Sequence, residues 1–123
     1  MGLKVLLIDD SPLTRSILAD MLDAVGHQVV GEAETGQAGL DAYQKLKPDV
    51  TTLDVSLPDM DGITVLTELK RIDPAAKVVL VTGNDQHRLQ EMADRFKVLF
   101  LGKPFSIADL KRVVEAAAAG GAP

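Results

Sequence analysis

Five short apolar runs rich in Val, Leu and Ile, at 4–8, 28–31, 49–53, 77–81 and 98–101, alternate with five stretches in which apolar residues return every three or four positions. Runs of the first kind predict buried strands and those of the second amphipathic helices. Their regular alternation predicts an α/β fold of (βα)5 type with a parallel sheet. Ser11 reads as the N-cap of the first helix with Pro12 at N1, and Leu13, Ile17, Leu18, Met21, Leu22 and Val25 form an apolar stripe that ends at Gly26. The second helix, 36–47, carries Leu40, Tyr43 and Leu46 on one face and stops before Pro48, with Gly39 as an internal weakness. The third, 63–72, presents Val65, Leu66, Leu69 and Ile72. The fourth, 85–96, has only Leu89, Met92, Ala93 and Phe96, which predicts a thinly anchored element. The fifth begins at Ser106 with Asp109 as its capping-box acid, is expected to bury Ile107, Leu110, Val113 and Val114, and extends through Ala116 to Ala119. Right-handed crossovers would place helices on both faces of the sheet, giving a doubly wound three-layer sandwich. Residues 1–119 read as one domain and 120–123, Gly-Gly-Ala-Pro, as a flexible tail or the start of a linker.

Composition narrows the function. A chain of 123 residues is long enough for one self-sufficient core. With no cysteine and two histidines, a disulfide framework, a thiolate nucleophile and a Cys- or His-rich metal site are excluded or disfavoured. The net charge of -5 has the wrong sign for a phosphate-backbone binder, so no direct nucleic-acid contact is expected. The N-terminal apolar run is too short for a signal peptide, and no stretch approaches the roughly 20 residues of a membrane span. The expectation is a soluble, cytoplasmic protein without membrane insertion.

The unusual residues sit where strands end. Asp9 and Asp10 follow the first run, Asp54 the third, Thr82 the fourth, and Lys103 comes just after the fifth. In a parallel sheet these ends share one edge, the edge at which open α/β sheets bind ligands. Three carboxylates gathered there repel one another, and a hard divalent cation such as Mg²⁺ removes the conflict. An Asp can attack phosphorus while Mg²⁺ and a Lys neutralise the transferring group, and a Thr hydroxyl can donate to a phosphoryl oxygen. Each residue alone has a plainer reading. A strand-end Asp is ordinarily a cap or loop residue, Asp9 and Asp10 could be turn residues before Ser11, and Lys103 a solvated lysine beside a loop-forming Pro104. His27 and His87 read as surface or helix-end residues, and Gly62 as a site of close approach or a sharp turn. Asp59-Met60-Asp61-Gly62-Ile63-Thr64 superficially resembles the nucleophile motif of haloacid-dehalogenase-type phosphotransferases, but that motif must directly follow a strand and here Leu57-Pro58 intervenes.

Taken together, Asp9-Asp10, the run Asp54-Val55-Ser56-Leu57-Pro58-Asp59-Met60-Asp61-Gly62, Val81-Thr82-Gly83 and Lys103-Pro104-Phe105 resemble the receiver domain of bacterial two-component response regulators, most of all the single-domain, chemotaxis-type regulators. The resemblance covers essentially the whole chain and implies a flavodoxin-like sheet of order 2-1-3-4-5. It further implies that Asp54 accepts a phosphoryl group from a sensor histidine kinase or phosphotransfer protein in a Mg²⁺-dependent step. The metal would be held by Asp10 directly, by Asp9 largely through water, by Asp54 and by the backbone carbonyl of Ser56. Thr82 and Lys103 would hold the phosphoryl oxygens, Ser56 and Asn84 would flank them, and Thr82 and Phe100 would move as the switch. A downstream protein would read the face of the fourth helix, fifth strand and fifth helix, with the chain a monomer or weak dimer and not a multi-turnover enzyme. The chain departs from the family pattern in carrying Phe96-Lys97 where many receivers have Gly-Ala, in a segment between Thr82 and Lys103 about one residue short. The competing implication is a pseudo-receiver, a binding module of this fold that works without phosphorylation.

Overall fold

The structure is a computed structural model that describes residues 2–83 and 86–120, with the backbone alone at 86–89. The elements run β1 (Lys4–Ile8), α1 (Pro12–Ala24), β2 (Gln28–Ala33), α2 (Gly36–Leu46), β3 (Val50–Asp54), α3 (Gly62–Ile72), β4 (Val78–Thr82), α4 (Gln86–Phe96), β5 (Leu99–Gly102) and α5 (Ile107–Ala118). All strand pairs are parallel and their order is 2-1-3-4-5. The apolar runs are continuous because the sheet is covered on both faces. Leu6, Ile8, Leu53 and Leu80 pack under α2, α3 and α4 with Leu40, Tyr43, Leu66, Leu69 and Met92. On the other face Val5, Leu7, Val79 and Val81 meet Leu18 and Leu22 of α1 and Leu110 and Val114 of α5. This is the doubly wound, three-layer, flavodoxin-like architecture. Among the described residues no helix is long and apolar enough to cross a membrane.

Local chemistry sets the helix starts. Ser11, Thr35, Asp61 and Ser106 each accept a hydrogen bond from the backbone N–H three residues on, and Asp109 completes a capping box with Ser106. Gly39 serves packing in α2: a Cβ there would lie 2.5 Å from Ile8 Cδ1 and 2.9 Å from its Cγ1, so glycine lets the helix seat this closely against β1 without displacing Ile8. Gly62 is likewise a close-approach residue, since a Cβ would stand 2.6 Å from Val55 Cα.

Three expectations about burial are corrected. Leu13 and Ile17 are 70% and 43% exposed. The stripe on α1 is too wide to bury whole: at about 100° per residue Leu13 lies half a turn around the helix from Leu22, which touches the sheet. Ile107 has the right angle but occupies the first position of α5, past the end of β5, and is 40% exposed. His27, expected at the surface, is buried. Its Nδ1 accepts from the Leu3 N–H at 3.1 Å, so the ring proton sits on Nε2, 2.8 Å from Glu115 Oε2, tying the start of the sheet to the end of α5. The strands also run further than expected: Asp54 and Thr82 are the last residues of β3 and β4, inside the ladder, and β2 reaches Ala33. The expectations for Asn84, Asp85 and residues 121–123, and for the side chains of His87 and Leu89, lie outside the described residues.

Candidate functional site

Register alone brings the chemistry together. Ile8 pairs with Leu53, Asp54 with Val81 and Thr82 with Gly102, so Asp9, Asp54, Thr82 and Lys103 stand in line along the C-terminal edge of the sheet. The Lys103 N–H donates to the Thr82 carbonyl at 3.0 Å, fixing the last pair, and the Lys103–Pro104 peptide is cis. Asp9, Asp54 and Thr82 are buried and Asp10 is exposed. One oxygen from each of Asp9, Asp10 and Asp54 lies within 4.8 Å of the others. Asp9 Oδ1 accepts from the Ser11 N–H at 2.8 Å, whereas Asp9 Oδ2 is buried with no hydrogen-bond partner and faces Lys103 Nζ at 3.8 Å. Asp54 Oδ1 accepts from the Ser56 N–H at 3.0 Å, which leaves Oδ2 for chemistry. Burial pushes the Asp54 carboxyl above its ordinary range. The Ser56 N–H opposes that shift, Asp9 and Asp10 add to it by repulsion, and Lys103 works against them.

These residues fit a divalent cation. A buried carboxylate oxygen without a hydrogen-bond partner, beside two further carboxylates, is a defect in a finished protein interior but a ligand in waiting for a hard ion. The all-oxygen donor set suits Mg²⁺ rather than zinc or copper.

Two groups that support the site were given no role by the sequence. Arg15, one turn into α1, donates from Nη1 to the Asp9 carbonyl and from Nε to Glu32 Oε1 at 3.0 Å, so it clamps the acid pair between α1 and β2. Asp59, in the loop after β3, accepts from the Gly36 N–H at 2.7 Å and the Gln37 N–H at 3.0 Å and so covers the N-terminus of α2. Those two hydrogen bonds hold its carboxyl below the usual range. Arg15 could have been suspected from its spacing after Asp10 on a helix, but Asp59 depends on a contact 22–23 residues away in sequence.

Phe100 lies on β5 opposite Leu80, half-buried against the α2–α3–α4 core and two positions back from the edge that carries Lys103. Alternation along the strands puts it on the same face of the sheet as Thr82. Ser56 is exposed and forms an isolated antiparallel bridge with Asp61 across the loop base. Lys97, where the chain departs from the receiver pattern, adopts a left-handed conformation with φ 56, the geometry that glycine supplies most cheaply.

Comparison with known proteins agrees with this geometry. The sequence model of the response regulator receiver domain family matches residues 5–115. The chain is 37% identical to the chemotaxis protein CheY of Thermotoga maritima over 117 residues, covering 94% of this chain and 95% of that one. It is also 37% identical to CheY of Bacillus subtilis over the same shares of both chains. Among solved structures it resembles the CheX–CheY–BeF3–Mg²⁺ complex of Borrelia burgdorferi, with a TM-score of 0.87 and 26% identity over 93% of this chain and 87% of that one.

Proposed function

The chain belongs to the response regulator receiver family, and from that membership we propose that it is a phosphoacceptor switch in which Asp54 Oδ2 takes a phosphoryl group from the phosphohistidine of a sensor kinase or phosphotransfer protein. The observation that carries the reading is the acid cluster within 4.8 Å, with the partnerless Asp9 Oδ2 facing Lys103 Nζ. Asp9, Asp10, Asp54 and the Ser56 carbonyl would hold Mg²⁺, which supplies charge neutralisation of the phosphoryl oxygens. The steps belong to the chain's own groups. Asp54 is held by the Ser56 N–H with one oxygen presented. That oxygen bonds to phosphorus as the P–N bond of the donor breaks, and the imidazole keeps the electron pair and takes up a proton. Lys103 and the Thr82 hydroxyl hold the phosphoryl oxygens, and water later hydrolyses the acyl phosphate. The chain is thus altered and restored by its own site, and is not a multi-turnover metabolic enzyme.

Switching would follow from Thr82 moving toward the phosphoryl group and Phe100, on the same face, following inward. A downstream protein would read the change on α4, β5 and α5. The phosphodonor would meet the exposed Leu13 and Ile17, in the first two turns of α1, and the exposed Ile107 at the start of α5. We read residues 1–119 as the receiver domain, 120–123 as a flexible tail or the start of a linker, and the setting as cytoplasmic.

The test is intact mass after incubation with acetyl phosphate, with and without Mg²⁺, on wild type and Asp54→Asn. One Mg²⁺-dependent phosphoryl adduct on wild type alone is expected. A wild type that takes up neither phosphoryl group nor a beryllofluoride mimic would shift the reading to a phosphorylation-independent pseudo-receiver.

A further inference from the structure

We propose that Asp59 is a positioning residue for the divalent-cation ligands, acting through the N-terminus of α2; the proposal rests on the metal-dependent reading above. Helix α2 touches both segments that carry those ligands. Gly39 rests on Ile8, the residue before Asp9, and a Cβ at Gly36 would collide with Met60 in the loop between β3 and α3. That loop is closed at its base by the Ser56–Asp61 bridge and by the Gly62 N–H donating to the Val55 carbonyl at 3.0 Å. Its tip is held from outside, where the two carboxylate oxygens of Asp59 take the Gly36 and Gln37 amides at 2.7 and 3.0 Å.

The first amides of a helix have no partner within it. In α2 the Ala38 amide is satisfied by Thr35 Oγ1, and the two before it are satisfied by Asp59 from across the fold. The carboxylate also answers the positive end of the helix. Ser56 precedes Asp59 by three residues in the same closed loop, so the height of the Ser56 carbonyl above the sheet edge is set at one end by Asp54 and β3 and at the other by α2. The same helix sets Asp9 through Ile8. Releasing Asp59 leaves Asp9, Asp10 and Asp54 in their strand-end places but frees the loop that bears the remaining ligand.

The experiment is calorimetric Mg²⁺ titration of wild type, Asp59→Ala and Asp59→Asn, with amide NMR followed through the wild-type and Asp59→Ala titrations. Asp59→Ala is expected to weaken Mg²⁺ about tenfold, in line with the loss of a ligand-orienting partner, and Asp59→Asn, which keeps one neutral acceptor, to fall between. In wild type the Gly36 and Gln37 amides should shift with the same midpoint as Ser56; in Asp59→Ala they should be silent while Ser56 still responds. Wild-type Mg²⁺ affinity in Asp59→Ala overturns the positioning role and leaves the phosphoacceptor reading intact. Gly36 and Gln37 amides unmoved in wild type do the same, and decide the matter should Asp59→Ala not fold. A wild type that takes up no Mg²⁺ overturns both.

Discussion

Replacing Asp9 by Asn should stabilise the metal-free protein. Asn keeps the Oδ1 acceptor that holds the Ser11 N–H and turns the partnerless Oδ2 into an NH₂ donor facing carboxylates. Removing the charge ends repulsion from Asp54 that, for oxygens within 4.8 Å of each other and an effective dielectric of about 20, amounts to at least roughly 3.5 kcal/mol, with a smaller, more screened contribution from exposed Asp10. It also ends the attraction to Lys103 Nζ at 3.8 Å, about 4 kcal/mol at the same dielectric. The lysine side chain is 30% exposed, so solvent screens that attraction to about half. Repulsion therefore wins by about 1–2 kcal/mol, equivalent to a rise in Tm of about 3–8 °C for a domain of this size. The assay is thermal unfolding in EDTA and in Mg²⁺. Wild type should gain stability with Mg²⁺, by about 1.4 kcal/mol when the ion is at ten times its Kd, and Asp9→Asn should gain far less. A lower Tm for Asp9→Asn in EDTA would refute the argument, because it would mean that the acid cluster is held together by Lys103 without a cation.

Three further outcomes follow from single features. Thr51 is buried on β3 with a hydroxyl that has no hydrogen-bond partner, so Thr51→Val, which keeps the shape, should stabilise by about 1 kcal/mol; a fall in Tm would show that the hydroxyl is bonded. Lys97→Gly should raise the urea midpoint by the equivalent of about 1 kcal/mol, since φ 56 strains any residue with a Cβ; a lower midpoint would show that the lysine side chain outweighs the strain. Tyr43→Phe deletes the O–H that donates to Asp73 Oδ2 at 2.8 Å and should cost about 1 kcal/mol at pH 7. That hydrogen bond is also the main reason the Asp73 carboxyl sits below its ordinary range, so its contribution is complete above the unfolded value, about 3.9, and is lost as pH falls through the depressed folded value. The stability difference between wild type and Tyr43→Phe should therefore shrink at acid pH, and a difference that stayed constant down to pH 2 would contradict the assignment.

What could be read from the residues, and what could not, divides along range of interaction. The strands and the caps of the first and fifth helices were legible because they depend on nearest neighbours: Ser11 before Pro12, Ser106 three residues before Asp109, unbroken apolar runs at 5–8 and 78–81. The acids, Thr82 and Lys103 were legible because a parallel sheet sends every strand end to one edge, so position along the chain becomes position in space. The burial of His27 was hidden, since its partner Glu115 is 88 residues away and no local pattern marks either residue. Leu13 and Ile17 were misread because a wide apolar stripe does not say which of its edges meets the sheet. Gly39 looked like a fault in a helix until Ile8 was seen filling the space its side chain would take.

The same contrast explains how the molecule is built around the edge. Asp9 and Asp54 are held in costly proximity by strands that cannot yield: β1, β3 and β4 are buried on both faces, and Asp54 itself lies in the ladder opposite Val81. A cluster of like charges on a softer scaffold would relax apart, and the cation would then have to repay that movement on binding. Here the repulsion is stored in the metal-free state, and a ligand that neutralises it gains the difference. The elements proposed to move belong to the other half of the sheet. There β5 is an edge strand of four residues, and Phe100 is half-buried where Leu80, its partner, is fully buried. Displacing Phe100 therefore disturbs less packing than displacing any of the buried residues of the three central strands. A phosphoryl group bonded to Asp54 would act on the yielding side through Thr82, because the rigid side has no lower-energy arrangement to offer.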